Sequence, residues 1–189
     1  MFEWIQSADW AILFWIQQTM KSGFLDVVIP LITKLGDVGA IWLLSAVVML
    51  FTKKYRKCGI MLLVGLAIGF HIGNLWLKPM IARDRPSWID SSVQMLVFNP
   101  KDFSFPSGHT LSSVIAATIL TLNNRKFGLI AIPLALLIAF SRMYLYVHFP
   151  SDILVGAFLG VLIGYAVVWS FDKFPTLIQR LHKKRDSYA

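Results

Sequence analysis

A single cysteine, Cys58, stands in the 189-residue sequence, so no internal disulfide can form. The first residues lack a basic leader segment. Glu3 and Asp9 stand where one would be, so no cleavable signal peptide is expected. No basic face and no RNA-binding motif is present either. The net charge of +8 comes from Lys and Arg gathered in short segments between apolar runs. That pattern excludes nucleic acid as the expected partner and suits the cytoplasmic ends of membrane helices.

What the sequence has instead is apolar bulk. Hydrophobic residues make up 57% and aromatics 14%, against about 45–50% apolar in an ordinary soluble domain. A small soluble protein could not bury that much apolar surface, so the bilayer is the expected solvent. A membrane span needs roughly 20 apolar residues. Four stretches qualify: 38–52 and 110–122, each extended backward, together with 59–77 and 127–147. A fifth runs over 153–171. The first 36 residues are read as two short helices at the outer interface, with a sixth span as the alternative. The expected fold is therefore all-α: one membrane-embedded domain over 1–189, a polytopic bundle of five to six transmembrane helices with short interfacial helices at the N-terminus.

Charge orients the bundle. The segments 53–57 and 123–126 and the tail from Asp172 carry 11 Lys/Arg and 2 acids, whereas all other segments carry 7 Lys/Arg and 8 acids. By the positive-inside rule the first group faces the cytoplasm. Arg85, His109 and His148 then share the outer face, and the basic run from Arg180 to Arg185 meets anionic headgroups. Two glycine series recur every four residues, Gly65/Gly69/Gly73 and Gly156/Gly160/Gly164. They read as stripes that let helices approach closely. Trp76, Trp88 and Trp169 read as interfacial anchors.

Three outer-face segments concentrate polar residues. Lys78, Arg85 and Arg142 are cations at or inside the membrane boundary. Burying even one in lipid costs several kcal/mol, about 3 on insertion scales. The nearby acids in sequence are Asp84 and Asp152, too few to neutralise them. A phosphate group would, and Arg forks match its oxygens. Pro106-Ser107-Gly108-His109 reads as a helix N-terminus, where free N–H groups favour an anion. His109 and His148 make a reactive pair, in which one attacks phosphorus while the other protonates the leaving oxygen. Asp152 is the natural acceptor for the far nitrogen of an attacking histidine. Pro150 ends any helix before it, so Asp152 opens the last span and can turn back to His148. These residues include no carboxylate set for Mg²⁺, so no metal and no cofactor is expected.

The motifs are K-x6-RP from Lys78 to Arg85-Pro86, PSGH at 106–109, and SR-x5-H-x3-D from Ser141-Arg142 through His148 to Asp152. Together, over 78–152, they resemble the three signatures of the type-2 phosphatidic acid phosphatase (lipid phosphate phosphatase) superfamily. All eleven specified residues match in order. The resemblance implies that His148 is the nucleophile forming a phosphohistidine, Asp152 its orienting acid and His109 the general acid. It further implies that Lys78, Arg85 and Arg142 hold the phosphoryl oxygens, helped by Ser107 and the Gly108 amide. The superfamily also contains soluble vanadium haloperoxidases, and a multi-span chain points away from that activity. The expected substrate is a membrane lipid phosphate or diphosphate: undecaprenyl diphosphate first, then phosphatidylglycerophosphate or phosphatidic acid. The alternatives are a lipid phosphotransferase using the same phosphohistidine, with its acceptor site in the 87–105 loop, and a small transporter or lipid-binding protein. No protein partner is evident. Ser141 is expected to bond within its own helix, Arg83 and Asp84 to form a rim ion pair, and His71 to be a satisfied interior histidine on the face of Lys78. His182 is read as a solvated part of the tail.

Overall fold

The structure is a computed structural model that describes the backbone of residues 3–186 and the side chains of residues 3–173. The expectations for His182 and for Arg180 to Arg185 lie outside the described side chains. The described chain is all helical, as its composition implies. Its helices are α1 (Glu3–Thr19), α2 (Gly23–Leu35), α3 (Ala40–Leu50), α4 (Arg56–Phe70), α5 (Lys78–Ile81), α6 (Pro86–Ile89), α7 (Gly108–Asn123), α8 (Arg125–Tyr144) and α9 (Pro150–Asp186).

Three helical stretches, Arg56–Ile89, Arg125–Tyr144 and Pro150–Lys173, are long and apolar enough to cross a membrane. Gly23–Leu35 and Asp37–Leu50 qualify together as one span bent by 44°. Length and composition thus give three or four crossings against the five to six expected from hydropathy. One of the helices left out of that count is α7, whose 16 residues rise only about 24 Å at 1.5 Å per residue, against a core of about 30 Å.

The bend between α2 and α3 has a local cause. Val38 (φ 53°) and Gly39 (φ 71°) both take left-handed backbone. Gly39 does so freely, but Val38 is β-branched and strained there. The break turns Asp37 out of the helical register and toward α7. Two helices start on side-chain caps that the sequence supplies: at α2 Ser22 accepts from the Leu25 amide, and at α8 Asn124 accepts from the Lys126 amide.

Helix α7 is the central post, and the glycine stripes explain how its neighbours reach it. A Cβ on Gly65 or Gly69 would meet Ile115 at 2.9 and 2.4 Å, and one on Gly73 would meet Leu111 at 2.6 Å. On another side, a Cβ on Gly156 would come within 3.0 Å of the Ser107 carbonyl, and on Gly164 within 2.7 Å of Thr118. Both stripes therefore pack against the same helix. The core around it includes Trp42, Met61, Leu62, Leu111, Ile115 and Ile138, and the Trp42 indole donates to Ser113 at 2.9 Å.

The two ends of the bundle differ. At one end Lys57 pairs with Asp172 at 2.7 Å and Tyr55 packs on Phe127 at 5.1 Å between ring centroids. This gathers the 53–57 segment, the start of α8 and the part of α9 around Asp172. At the other end α1 lies against the α8–α9 junction. Asp9, Leu13 and Ile16 form its buried stripe, and Trp10 packs edge-on to Phe149 at 5.0 Å.

Two expectations about side-chain direction fail. His71 is exposed, its Nδ1–H donating to the Ala67 carbonyl at 2.9 Å. Residues His71–Leu77 form a π-helix, whose wider i→i+5 turn breaks the i, i+7 alignment with Lys78 assumed for an α-helix. Arg83 does not pair with Asp84, which is exposed. Ala82 (φ 48°) ends α5, and in the non-helical run that follows neighbouring side chains diverge. Arg83 turns inward and is buried. Ser141 behaves as expected: it donates to the Ile138 carbonyl at 2.6 Å.

Candidate active site

The N-terminus of α7, the α8–α9 junction and the chain around α5 and α6 converge on a cavity of about 880 Å³. Six of the eight residues singled out from sequence line it: Lys78, Arg85, Gly108, His109, Arg142 and His148. The cavity continues past Leu66, Phe70 and Val38, giving it a charged inner end and an apolar flank.

His148 is 1% exposed, and its two ring nitrogens have different neighbours. Nε2 lies 3.1 Å from Nη1 of Arg85, and Nδ1 faces Oδ2 of Asp152 at 3.4 Å and Oγ of Ser104 at 3.5 Å. A guanidinium only donates, so Nε2 must be the acceptor and Nδ1 must carry the proton. Burial, then the charges of Arg85, Arg142, Lys78 and His109, hold the His148 imidazolium well below its ordinary pKa. The ring is thus neutral, with the lone pair of its unprotonated nitrogen facing the cations.

The cations are placed by different means. Arg85 is anchored on every side: Nε to the Asp102 carbonyl at 2.7 Å, Nη1 to the Val147 carbonyl at 2.6 Å, and Nη2 to Oδ1 of Asp102 at 2.8 Å. The second Asp102 oxygen takes the ammonium of Lys78. Burial raises the Asp102 carboxyl, but its hydrogen bonds and the charges of Lys78 and Arg85 outweigh this and hold it at about 2. Arg142 donates through Nη1 to Thr33 at 2.5 Å, while its Nε is buried with no hydrogen-bond partner among the described residues. A buried charged donor left unsatisfied is costly. It marks a place for an anionic oxygen.

His109 stands across the cavity on the first turn of α7. Its Nε2 lies 2.9 Å from Oδ1 of Asp37, which the strained turn before α3 delivers. Gly108 lets α7 lie close to Asn74, since a Cβ there would sit 3.2 Å from the Asn74 side chain. Ser107 does not line the cavity. Its hydroxyl caps α7, accepting from the Thr110 hydroxyl at 3.0 Å and from the Thr110 amide at 3.4 Å. Asp152 sits behind His148, fully buried. Its Oδ2 accepts from the Phe149 amide at 2.9 Å and from the Ser104 hydroxyl, and its Oδ1 from Arg83 at 2.6 Å.

Sequence reasoning found Asp152 but missed the other acids. Asp9, Asp37 and Asp102 each neutralise a site cation or histidine. They lie in no motif and reach the site only through folding. Thr33, on α2, was missed for the same reason. Asp37 carried one available signal, since it sits in a Gly36-Asp37-Val38-Gly39 break between two apolar helices. Among the described residues no three His, Cys, Asp or Glu side chains converge as a metal-ligand set.

Residues 57–175 match the family model described as the PAP2 superfamily. The chain is 33% identical over 129 residues to the undecaprenyl-diphosphatase of Sulfolobus acidocaldarius, covering 68% of this chain and 62% of that relative's length. It is 32% identical over 192 residues to phosphatidylglycerophosphatase B of Bacillus subtilis, covering 95% of this chain and 89% of the relative. Among solved structures, the transmembrane PAP2-type phosphatidylglycerolphosphate phosphatase from Bacillus subtilis superposes with a TM-score of 0.75 at 29% identity, covering 91% and 88% of the two chains.

Proposed function

The chain belongs to the PAP2 superfamily, and from that premise we propose that it is a membrane lipid phosphatase acting through a phosphohistidine on His148. One observation carries the reading: a buried neutral imidazole, oriented by Asp152, presents its unprotonated Nε2 to a group of cations that includes an unsatisfied Arg142 Nε. In the first step Nε2 attacks phosphorus and the bond from phosphorus to the leaving oxygen breaks. His109 gives that oxygen a proton. The new N–P bond is then hydrolysed by water, whose proton returns to His109, and inorganic phosphate leaves. Lys78, Arg85 and Arg142 balance the charge that spreads over the phosphoryl oxygens. These cations supply what a metal would, so the reaction is expected to run in chelator.

For substrate we favour a polyprenyl diphosphate such as undecaprenyl diphosphate over phosphatidylglycerophosphate and phosphatidic acid. A compact chain with a short outer loop carries little apparatus for a large headgroup, while the cavity's apolar flank at Leu66, Phe70 and Val38 suits a tail that stays in the bilayer. The curated relatives include enzymes named for the first two substrates. The charge partition supports a site on the outer face. Purified enzyme in EDTA, assayed side by side on the three lipids, tests the reading. Phosphate release with the highest kcat/KM on the polyprenyl diphosphate is expected. No release from any of the three would overturn the assignment, and so would release that survives His148→Ala.

A further inference from the structure

Helix α1 lies outside the residues matched to the family and outside all three motifs, yet it sends a carboxylate into the site's inner wall. Asp9, on α1, is 3% exposed, and Arg83 is 9% exposed. Arg83 spans two groups with the two ends of its fork. Nη1 donates to Oδ1 of Asp152 at 2.6 Å and to Oγ of Ser151 at 2.7 Å; Nη2 donates to Oδ2 of Asp9 at 2.7 Å and to Oε1 of Gln6 at 2.8 Å. Asp9 closes the ring, accepting from the Ser151 amide at 2.9 Å and from the Ser151 hydroxyl at 2.5 Å. The guanidinium lies over the Phe149 ring, 4.0 Å from its centroid.

We propose that Asp9 and Arg83 are positioning residues: a relay from α1 that fixes one oxygen of Asp152 and so sets the orientation and basicity of His148. The proposal rests on His148 being the nucleophile. With Oδ1 held by Arg83, the carboxylate cannot rotate, and Oδ2 stays aimed at Nδ1 of His148. Two carboxylates share one guanidinium, so the cluster keeps one net negative charge beside an imidazole that otherwise faces cations. A buried ion triad is a poor source of stability, since apolar residues of similar volume serve as well or better. Its burial between α1 and the α8–α9 junction is therefore better explained by what it does to Asp152.

The charge balance gives a signature that a merely structural brace would not. His148 is faced by Lys78, Arg85 with Asp102, His109 with Asp37, and Arg142, with Asp152, Arg83 and Asp9 on its other side. Asp9→Asn removes a negative charge and leaves Arg83 to draw on Asp152 alone, so the His148 imidazolium becomes more acidic. Arg83→Gln leaves two carboxylates without their cation, so it becomes less acidic. The two variants shift the same titration in opposite directions.

The test measures kcat and KM against pH for the full-length enzyme in detergent on a soluble alkyl phosphate. The variants are Asp9→Asn, Arg83→Gln, Arg83→Lys and the small-volume change Ser151→Ala, each with its thermal midpoint. The expected loss is in kcat, about ten- to a hundredfold, the scale for partners that orient a reacting ligand, with KM little changed. The acid limb of kcat/KM moves to lower pH in Asp9→Asn and to higher pH in Arg83→Gln. Arg83→Lys keeps the charge, so its limb stays nearer the wild type, but it loses kcat because an ammonium cannot bridge both carboxylates. Limbs that coincide with the wild type in every folded variant overturn the relay, whatever happens to the midpoints. So does full kcat in Ser151→Ala and Asp9→Asn together. Phosphate release by His148→Ala removes the underlying assignment, whereas an inert His148→Ala with unmoved limbs removes the relay alone.

Discussion

The carboxylate of Asp102 bridges Lys78 and Arg85, taking Nη2 of Arg85 at 2.8 Å with one oxygen and the Lys78 ammonium with the other. Both cations are ones the proposed mechanism gives to the phosphoryl group, and Asp102 is about half exposed at the cavity edge. A substrate phosphate therefore competes with Asp102 for the same donors. Asp102→Asn removes that competitor and a like charge, while an amide oxygen can still accept from Arg85. KM is expected to fall, by about tenfold if the relief amounts to 1.4 kcal/mol. Steady-state kinetics on a soluble alkyl phosphate decide it. A raised KM would show that Asp102 braces the cations more than it screens them.

The site should work at a pH where an ordinary histidine is already charged. His148 must be neutral to attack, and burial with Arg85, Arg142 and Lys78 around it holds its imidazolium well below the usual range. A depressed pKa means the neutral form persists as pH falls, so the acid limb of kcat/KM is expected below the ordinary histidine value of 6.5. Raising the salt concentration should not move it much, because buried charges are little screened. An acid limb at or above the ordinary histidine value would contradict the cation cage around Nε2.

Most of the charged machinery was legible because it is written in short, ordered segments. Lys78, Arg85, His109, Arg142, His148 and Asp152 each stand at a helix end, where apolar runs stop and polar residues become conspicuous. Their acidic partners were not legible. Asp9 and Asp37 are single acids in otherwise apolar stretches, and only the packing of α1 and the turn before α3 brings them to the site. Two local rules also misled. Adjacency suggested an Arg83–Asp84 pair, but in a non-helical run neighbours point apart. An α-helical period put His71 on the Lys78 face, and the π-helical turn over His71–Leu77 rotated it outward. The fold class followed from composition, whereas the count of crossings is not fixed by it, because the 16-residue α7 in the middle of the bundle is shorter than the span a hydropathy reading assigns.

The orientation can be read chemically. The basic 53–57 segment and Asp172 meet at one end of the bundle, and Ser91 is exposed in the loop at the site end. With Cys58 buried and replaced by serine, Ser91→Cys becomes the one thiol. An impermeant maleimide on intact cells is expected to label it without lysis. Labelling only after lysis would put the site on the cytoplasmic side and reverse the charge argument.

The two histidines should fail at different steps. His148→Ala removes the attacking nitrogen, so no phosphoenzyme can form whatever group departs. His109→Ala leaves the nucleophile in place but lets the leaving oxygen depart unprotonated. General acid catalysis contributes about 10²–10⁴-fold, and that contribution is needed less when the leaving group is already stable as an anion. The His109→Ala deficit should therefore shrink on p-nitrophenyl phosphate relative to an alkyl phosphate, while the His148→Ala deficit stays. Asp37→Asn should resemble a mild His109→Ala. The Asp37 carboxylate lies 2.9 Å from Nε2 of His109, and removing its charge makes the protonated ring harder to maintain. Its deficit should shrink on the aryl substrate in the same way. Asp152→Asn should fall between the two histidine variants and be insensitive to the leaving group, because it disturbs attack and not departure. Rates for all four variants on both substrates, taken after each is shown to insert and to keep its thermal midpoint, separate the roles. If His148→Ala is the variant rescued by the better leaving group, the nucleophile and the acid are assigned in the wrong order, and the lone pair on Nε2 beside Arg85 would need another explanation.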